Sequence, residues 1–204
     1  MSSRLSDALS NITEIHAHLA KSEIYAGVQA KPVLLSAFLG LTAACLQDRI
    51  IPSPDALQFV CFWITTAGIC AGVAAIGAVI AYFFYDDHLG RRHARIVASQ
   101  LAPSLAAGVF LVLALLPHLH QCIGLFPGLW AILYALGLFS VRPYMPRATG
   151  WVGLYFILTG TLLLNLLPMD QVPSPWSIAV IFAAGQAGLA LVLYRNTARD
   201  LIRE

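Results

Sequence analysis

Long apolar runs alternate with short polar segments along this chain, and that rhythm predicts helices that cross a bilayer. A spanning helix needs about 20 mostly apolar residues. Six runs qualify: Pro32 to about Gln47, Ala56 to Tyr85, Ile96 to Leu116, Ile123 to Val141, Thr149 to Leu167 and Trp176 to Tyr194. The first is short unless its helix begins a turn earlier. Prolines punctuate the boundaries, among them Pro52, Pro54, Pro117, Pro143, Pro168 and Pro175. Proline fits the first turn of a helix and stops one beyond its end. Pro103 alone sits well inside a run, and it predicts a kink in the third helix.

The first 30 residues carry a different pattern. Leu5, Leu9, Ile12, Ile15 and Leu19 fall on one helical face, and Asp7, Asn11, Glu14, His18 and Lys21 on the other. A helix made for anionic lipid is rich in Lys and Arg, whereas this one has mixed charge. It predicts a helix that packs on the inner face of the bundle or on a partner chain. The expected organisation is a cytoplasmic amphipathic helix over residues 1–30, a six-helix transmembrane bundle over 31–195 and a cytoplasmic tail over 196–204. The fold class is all-α: a polytopic membrane protein whose six helices form three hairpins. The outer turns Asp48-Arg-Ile-Ile-Pro-Ser-Pro54 and Asp170-Gln-Val-Pro-Ser-Pro175 resemble each other, as three parallel hairpin repeats would, or as short turns rich in Pro and Ser do on their own account.

Composition agrees with a lipid environment. Hydrophobic residues make up 59% of the chain, charged residues 11%, and the mean hydropathy is +0.77. A soluble domain carries roughly 25% charged residues, so membrane lipid is the expected surrounding. The net charge of +2 includes no basic tract able to neutralise many phosphates, which argues against nucleic acid as a partner. The polar N-terminus does not read as a signal peptide. Cys45, Cys61, Cys70 and Cys122 form no CxxC pair and read as small helix residues.

The basic residues orient the spans. Arg4, Lys21 and Lys31 precede the first span. Arg91, Arg92 and Arg95 follow the second, Arg142 and Arg147 the fourth, and Arg195, Arg199 and Arg203 the sixth. Only Arg49 falls in the opposite loops. Lys and Arg accumulate in cytoplasmic loops, so both termini are expected in the cytoplasm. Trp130 and Trp176 near one boundary, and Trp151, Tyr144 and Tyr155 near the other, fit aromatic belts.

Candidate chemistry is sparse. No Asp, Glu, Lys or Arg lies within a span away from its ends, unlike the pattern of ion-coupled transporters. The intramembrane polar residues are Thr65, Thr66, Gln100, Ser104, Thr159, Thr161, Asn165 and Gln186. Gly68 and Gly72 form a GxxxG motif flanked by Ala67, Ala71, Ala75 and Ala78, which marks a tight helix contact. In a chain with six helices that contact is expected to be internal. His118, His120 and Cys122 offer metal-ligating atoms, but residues two apart point away from each other on a helix. His16 and His18 share that geometry. Asp86, Asp87, His88 and His93 cluster with the arginines of an inner loop, where topology determination is the expected role and a phospholipid headgroup or acidic patch the alternative. No nucleophile elbow, P-loop or HExxH is present. No catalytic, cofactor-binding or metal-ligating residue is assigned, and no cofactor is expected.

The stretch Gly128-Leu-Trp-Ala-Ile-Leu-Tyr-Ala-Leu-Gly-Leu-Phe139, followed by Ser140-Val-Arg-Pro143 and Gly150-Trp-Val-Gly153, resembles a family of uncharacterised bacterial six-helix integral membrane proteins. The resemblance implies a short cytoplasmic helix ahead of the bundle and residence in the bacterial inner membrane. It supplies no activity and no site residues. The expected function is that of a non-catalytic membrane component: an assembly factor, anchor or regulator that meets a protein partner through the N-terminal helix. The alternatives are a small transporter or channel for a neutral or lipidic substrate, using a cavity lined by Thr65, Asn165 or Gln186, and a metal or redox sensor at His118.

Overall fold

Local chemistry places most of the helix boundaries. The computed structural model describes residues 30–84 and 88–201; the amphipathic helix expected over 1–30 lies outside them, save for its last residue. Among the described residues there is no strand, and six long helices dominate: α1 (Ala30–Ile50), α2 (Ala56–Phe84), α3 (His88–Leu115), α4 (Phe126–Val141), α5 (Thr149–Leu166) and α6 (Pro175–Leu201). α2 begins on a reciprocal cap. The Gln58 backbone N–H donates to Asp55 Oδ1 at 2.7 Å, and the Asp55 backbone N–H donates to Gln58 Oε1 at 3.2 Å. Pro175 opens α6 at a position where no backbone N–H is needed. α5 stops at Leu167, whose extended backbone (φ −86°, ψ 133°) is what a residue preceding proline prefers.

Two helices run a turn or more past their expected ends. α3 starts at His88, so the arginine-rich segment expected as a loop is its first two turns. α6 continues through Arg195 to Leu201. α3 also carries on through Pro103.

Among the described residues, five stretches are long and apolar enough to cross a membrane: Ala30–Ile50, Ala56–Gly77, Arg95–Tyr144, Thr149–Leu166 and Pro175–Asn196. The third, 50 residues long, doubles back on itself. Ser140 Oγ donates to the Gln100 carbonyl at 3.0 Å, Gly137 lies against Ser104, and Gly108 faces Leu133. These pairings set α3 and α4 antiparallel. The reversal between them is built from a 3-10 turn (Leu116–His118), a single helical turn (Leu119–Cys122) and a second 3-10 turn (Ile123–Leu125). Gly124 donates its N–H to the Met169 carbonyl at 2.9 Å, which fastens this reversal to the α5–α6 connection.

Around the bundle the helices follow the order α2, α1, α6, α5, α4, α3, each packed on the next. The remaining seam, between α2 and α3, has only sparse contacts. Lys31, Arg142, Arg147 and Arg195 lie at one end, called here the basic end; Arg49 lies at the far end. Two apolar clusters fill the interior. The first, toward the basic end, joins Val33, Val97, Leu138, Val141, Val152 and Leu193. The second, at the far end, joins Ala44, Phe59, Trp63, Leu119, Phe126 and Ile178. The outward faces are apolar as well: Phe38 is 63% exposed, Phe110 69% and Trp151 74%. Helices apolar on their outer faces as well as inside suit lipid, where close packing and hydrogen bonds hold helices together.

Candidate functional site

Most polar side chains in the spans are spoken for by their own helix. Thr65 bonds the Cys61 carbonyl, Thr66 that of Phe62, Ser104 that of Leu101, Thr159 that of Tyr155, and the Asn165 amide that of Thr161. Such back-bonding satisfies a hydroxyl or amide without a second helix. Thr65, Gln100, Thr161 and Asn165 are exposed. The residues expected to line a substrate cavity are therefore not brought together: Thr65 and Asn165 bond within α2 and α5, while Gln186 turns to a different partner.

That partner is Tyr134. Gln186 Nε2 of α6 donates to Tyr134 Oη of α4 at 2.7 Å. The phenol sits edge-on to Phe156, with ring centroids 5.0 Å apart at 71°, and 6.0 Å from Phe182. Phe156 and Phe182 lie 5.4 Å apart. Tyr155 Oη donates to the Ile181 carbonyl at 3.2 Å, adding a second tie between α5 and α6. Phe156 is fully buried and reaches the α6 backbone at Gly185, where a Cβ would collide with its ring. α4, α5 and α6 are thus locked by an aromatic trio around one amide–phenol bond. The only buried polar or charged side chains among the described residues are Gln47 and Thr149, so no carboxylate or imidazole shares this core. The arrangement fixes helix register and offers no acid–base pair.

Three buried polar atoms have no hydrogen-bond partner among the described residues: Gln47 Oε1, Trp63 Nε1 and Thr149 Oγ1. Gln47 and Trp63 belong to the far end of the α1–α2 pair, and Thr149 opens α5. Nothing in the sequence pattern marks Gln47 as buried, because it stands near a span end where a polar residue ordinarily meets water.

The small-residue motif of α2 departs from expectation. Among the described residues nothing lies within 4 Å of where a Cβ would sit on Gly68 or Gly72, so none of them makes the contact expected to be internal. Beyond Trp63, no described residue of α2 is buried. In that half the helix is held to α1 by Gly77 against Pro32 and by the Cys70 thiol, 3.8 Å from the Ser36 carbonyl. By contrast, Gly128 and Gly160 meet face to face between α4 and α5, where a Cβ on either would press on the other's carbonyl at 2.7–2.9 Å.

At the far end, His118 and His120 flank buried Leu119 and are both exposed. Cys122 Sγ donates to the His118 carbonyl at 3.2 Å. Among the described residues no three His, Cys, Asp or Glu side chains converge in a way that would hold a metal ion. His16, His18, Asp86 and Asp87 lie outside the described residues.

No protein-family model matches the chain, and no curated protein or solved structure matches it.

Proposed function

We propose that the chain is a non-catalytic component of the bacterial inner membrane, with six spans and both termini in the cytoplasm, that works by binding a partner protein as an assembly factor, anchor or regulator. The observation that carries this reading is the open Gly68/Gly72 face of α2. Small residues at that spacing let a second helix backbone approach closely, and the described helices of the chain leave the face empty. The neighbouring residues Ala67, Ala71 and Ala75 are exposed too. The six-span topology is supported by the fold-back within Arg95–Tyr144, which turns one long apolar stretch into two antiparallel helices. Orientation is supported by the gathering of Lys31, Arg142, Arg147 and Arg195 at one end. The N-terminal amphipathic segment supplies a second contact on the cytoplasmic side.

Purification of the full chain from its native membrane in mild detergent tests the proposal. A partner protein is expected to accompany the wild type, to be lost from Gly68→Ile and Gly72→Ile, and to be weakened by deletion of residues 1–25. Leu105→Ala, on the exposed face of α3, serves as the control. Retention of the same partner by both glycine variants and by the deletion would overturn the reading.

A further inference from the structure

A lateral groove of about 290 Å³ runs between α1 and α2 at the basic end. Its floor is the tight crossing of Pro32 and Gly77, where a Cβ on Gly77 would come 2.5 Å from Pro32 Cγ. Leu35 forms the α1 wall, and Ile76 and Ile80 form the α2 wall. Lys31 stands one turn from Leu35 on the same face of α1 and is the one charged side chain among the described residues that lines the groove. No acidic side chain among the described residues lines it. Polarity is therefore ordered along the groove: apolar toward the middle of the bundle, cationic at the mouth. A lysine at such a boundary lays its methylene stem along apolar surface and carries its ammonium to the headgroup level.

We infer that this groove is a binding site for an anionic phospholipid, with one acyl chain lying against Leu35, Ile76 and Ile80 and the headgroup phosphate on Lys31 Nζ. The match is one of charge and order. A zwitterionic lipid offers the same chain but a net-neutral headgroup, so Lys31 selects for the anion. Gly77 keeps the two helices close enough for the groove to have a floor. The inference needs only that the chain sits in a bilayer, and it stands apart from the partner-binding proposal on the Gly68/Gly72 face.

The test uses the full chain in phosphatidylcholine vesicles doped with either phosphatidylglycerol or phosphatidylcholine carrying a photoactivatable acyl chain, with adducts mapped by mass spectrometry. Phosphatidylglycerol is expected to label the peptides containing Leu35 and Ile76–Ile80 about fivefold more than phosphatidylcholine, the factor equivalent to the ~1 kcal/mol that one lysine contributes near an anionic surface. Lys31→Gln should bring that ratio to unity and Lys31→Arg should keep it. Leu35→Trp, which fills the groove, should lower labelling of the Ile76 peptide by both lipids. Equal labelling of the wild type by the two headgroups, a preference that survives Lys31→Gln, or an equal preference at exposed Phe110 on α3 would each overturn the inference.

Discussion

Gln186 and Tyr134 stand 52 residues apart in sequence and share a 2.7 Å hydrogen bond across the middle of the bundle. The bond is worth less than its position suggests. Interhelical hydrogen bonds in membrane proteins average about 0.6 kcal/mol in double-mutant cycles. Tyr134→Phe and Gln186→Leu are each expected to destabilise the bundle by about 1 kcal/mol, and a cycle between them should return a coupling of about 0.6 kcal/mol. Reversible unfolding in mixed micelles measures both. Strict additivity would show that the bond does not tie α4 to α6.

The glycines divide into two groups by what surrounds them. Gly185→Ala drives a Cβ into the buried Phe156 ring, and Gly160→Ala drives one toward the Gly128 carbonyl. Overpacking of this kind costs about 1–3 kcal/mol. Gly68→Ala and Gly72→Ala meet open space and should leave the stability of the isolated chain unchanged or slightly raised, since alanine favours helix over glycine. Thermal unfolding of the four variants in one detergent separates the groups. Equal losses at Gly72 and Gly185 would contradict the packing described.

Gln47 is 1% exposed and its Oε1 has no hydrogen-bond partner among the described residues. An unsatisfied buried polar group costs about 1–3 kcal/mol. Gln47→Leu, similar in size and without the amide, is therefore expected to raise stability by about 1 kcal/mol. A fall of that size on unfolding would mean the amide is bonded after all.

Orientation is open to direct labelling. In a background with Cys45, Cys61, Cys70 and Cys122 replaced by alanine, a cysteine at Ser53 or Gln171 should react with a membrane-impermeant maleimide in intact cells. A cysteine at Ala148 should react only after permeabilisation. The reverse pattern would invert the topology, and labelling of a cysteine placed at Gln121 only after permeabilisation would remove the fold-back between α3 and α4.

The helices themselves were legible because spanning a bilayer demands apolar length and proline punctuates the ends. Leu167-Pro168 and Pro175 mark the α5–α6 connection to within a residue or two of where α5 stops and α6 begins. Hydropathy was a poorer guide where a helix leaves the apolar zone. His88–Arg95 and the residues after Tyr194 are polar yet helical, because Leu, Arg and Ala favour helix irrespective of solvent. Faces were the least legible. A GxxxG motif states that a backbone can come close and says nothing about whose, so Gly68 and Gly72 read as internal although they are open, while Gly128 and Gly160, set on different helices, form the tight contact. Nothing in the sequence singles out Tyr134, because an aromatic in an apolar run carries no sign of the glutamine it will meet on another helix.

The neighbours of α1 bear on how the chain is made. α1 lies along α6, with Val33 in one cluster with Leu189 and Leu193 and Ala44 in the other with Ile178 and Ala179. α1 thus leaves the ribosome well before one of its main partners, α6. About 125 residues separate Ile50 from Pro175, which at roughly 5–20 residues per second amounts to about 6–25 s of synthesis. Throughout that interval α1 has, of its two main partners among the described helices, α2 alone beside it, so a nascent chain that stalls before α6 leaves α1 half-clothed for chaperones and membrane proteases to find.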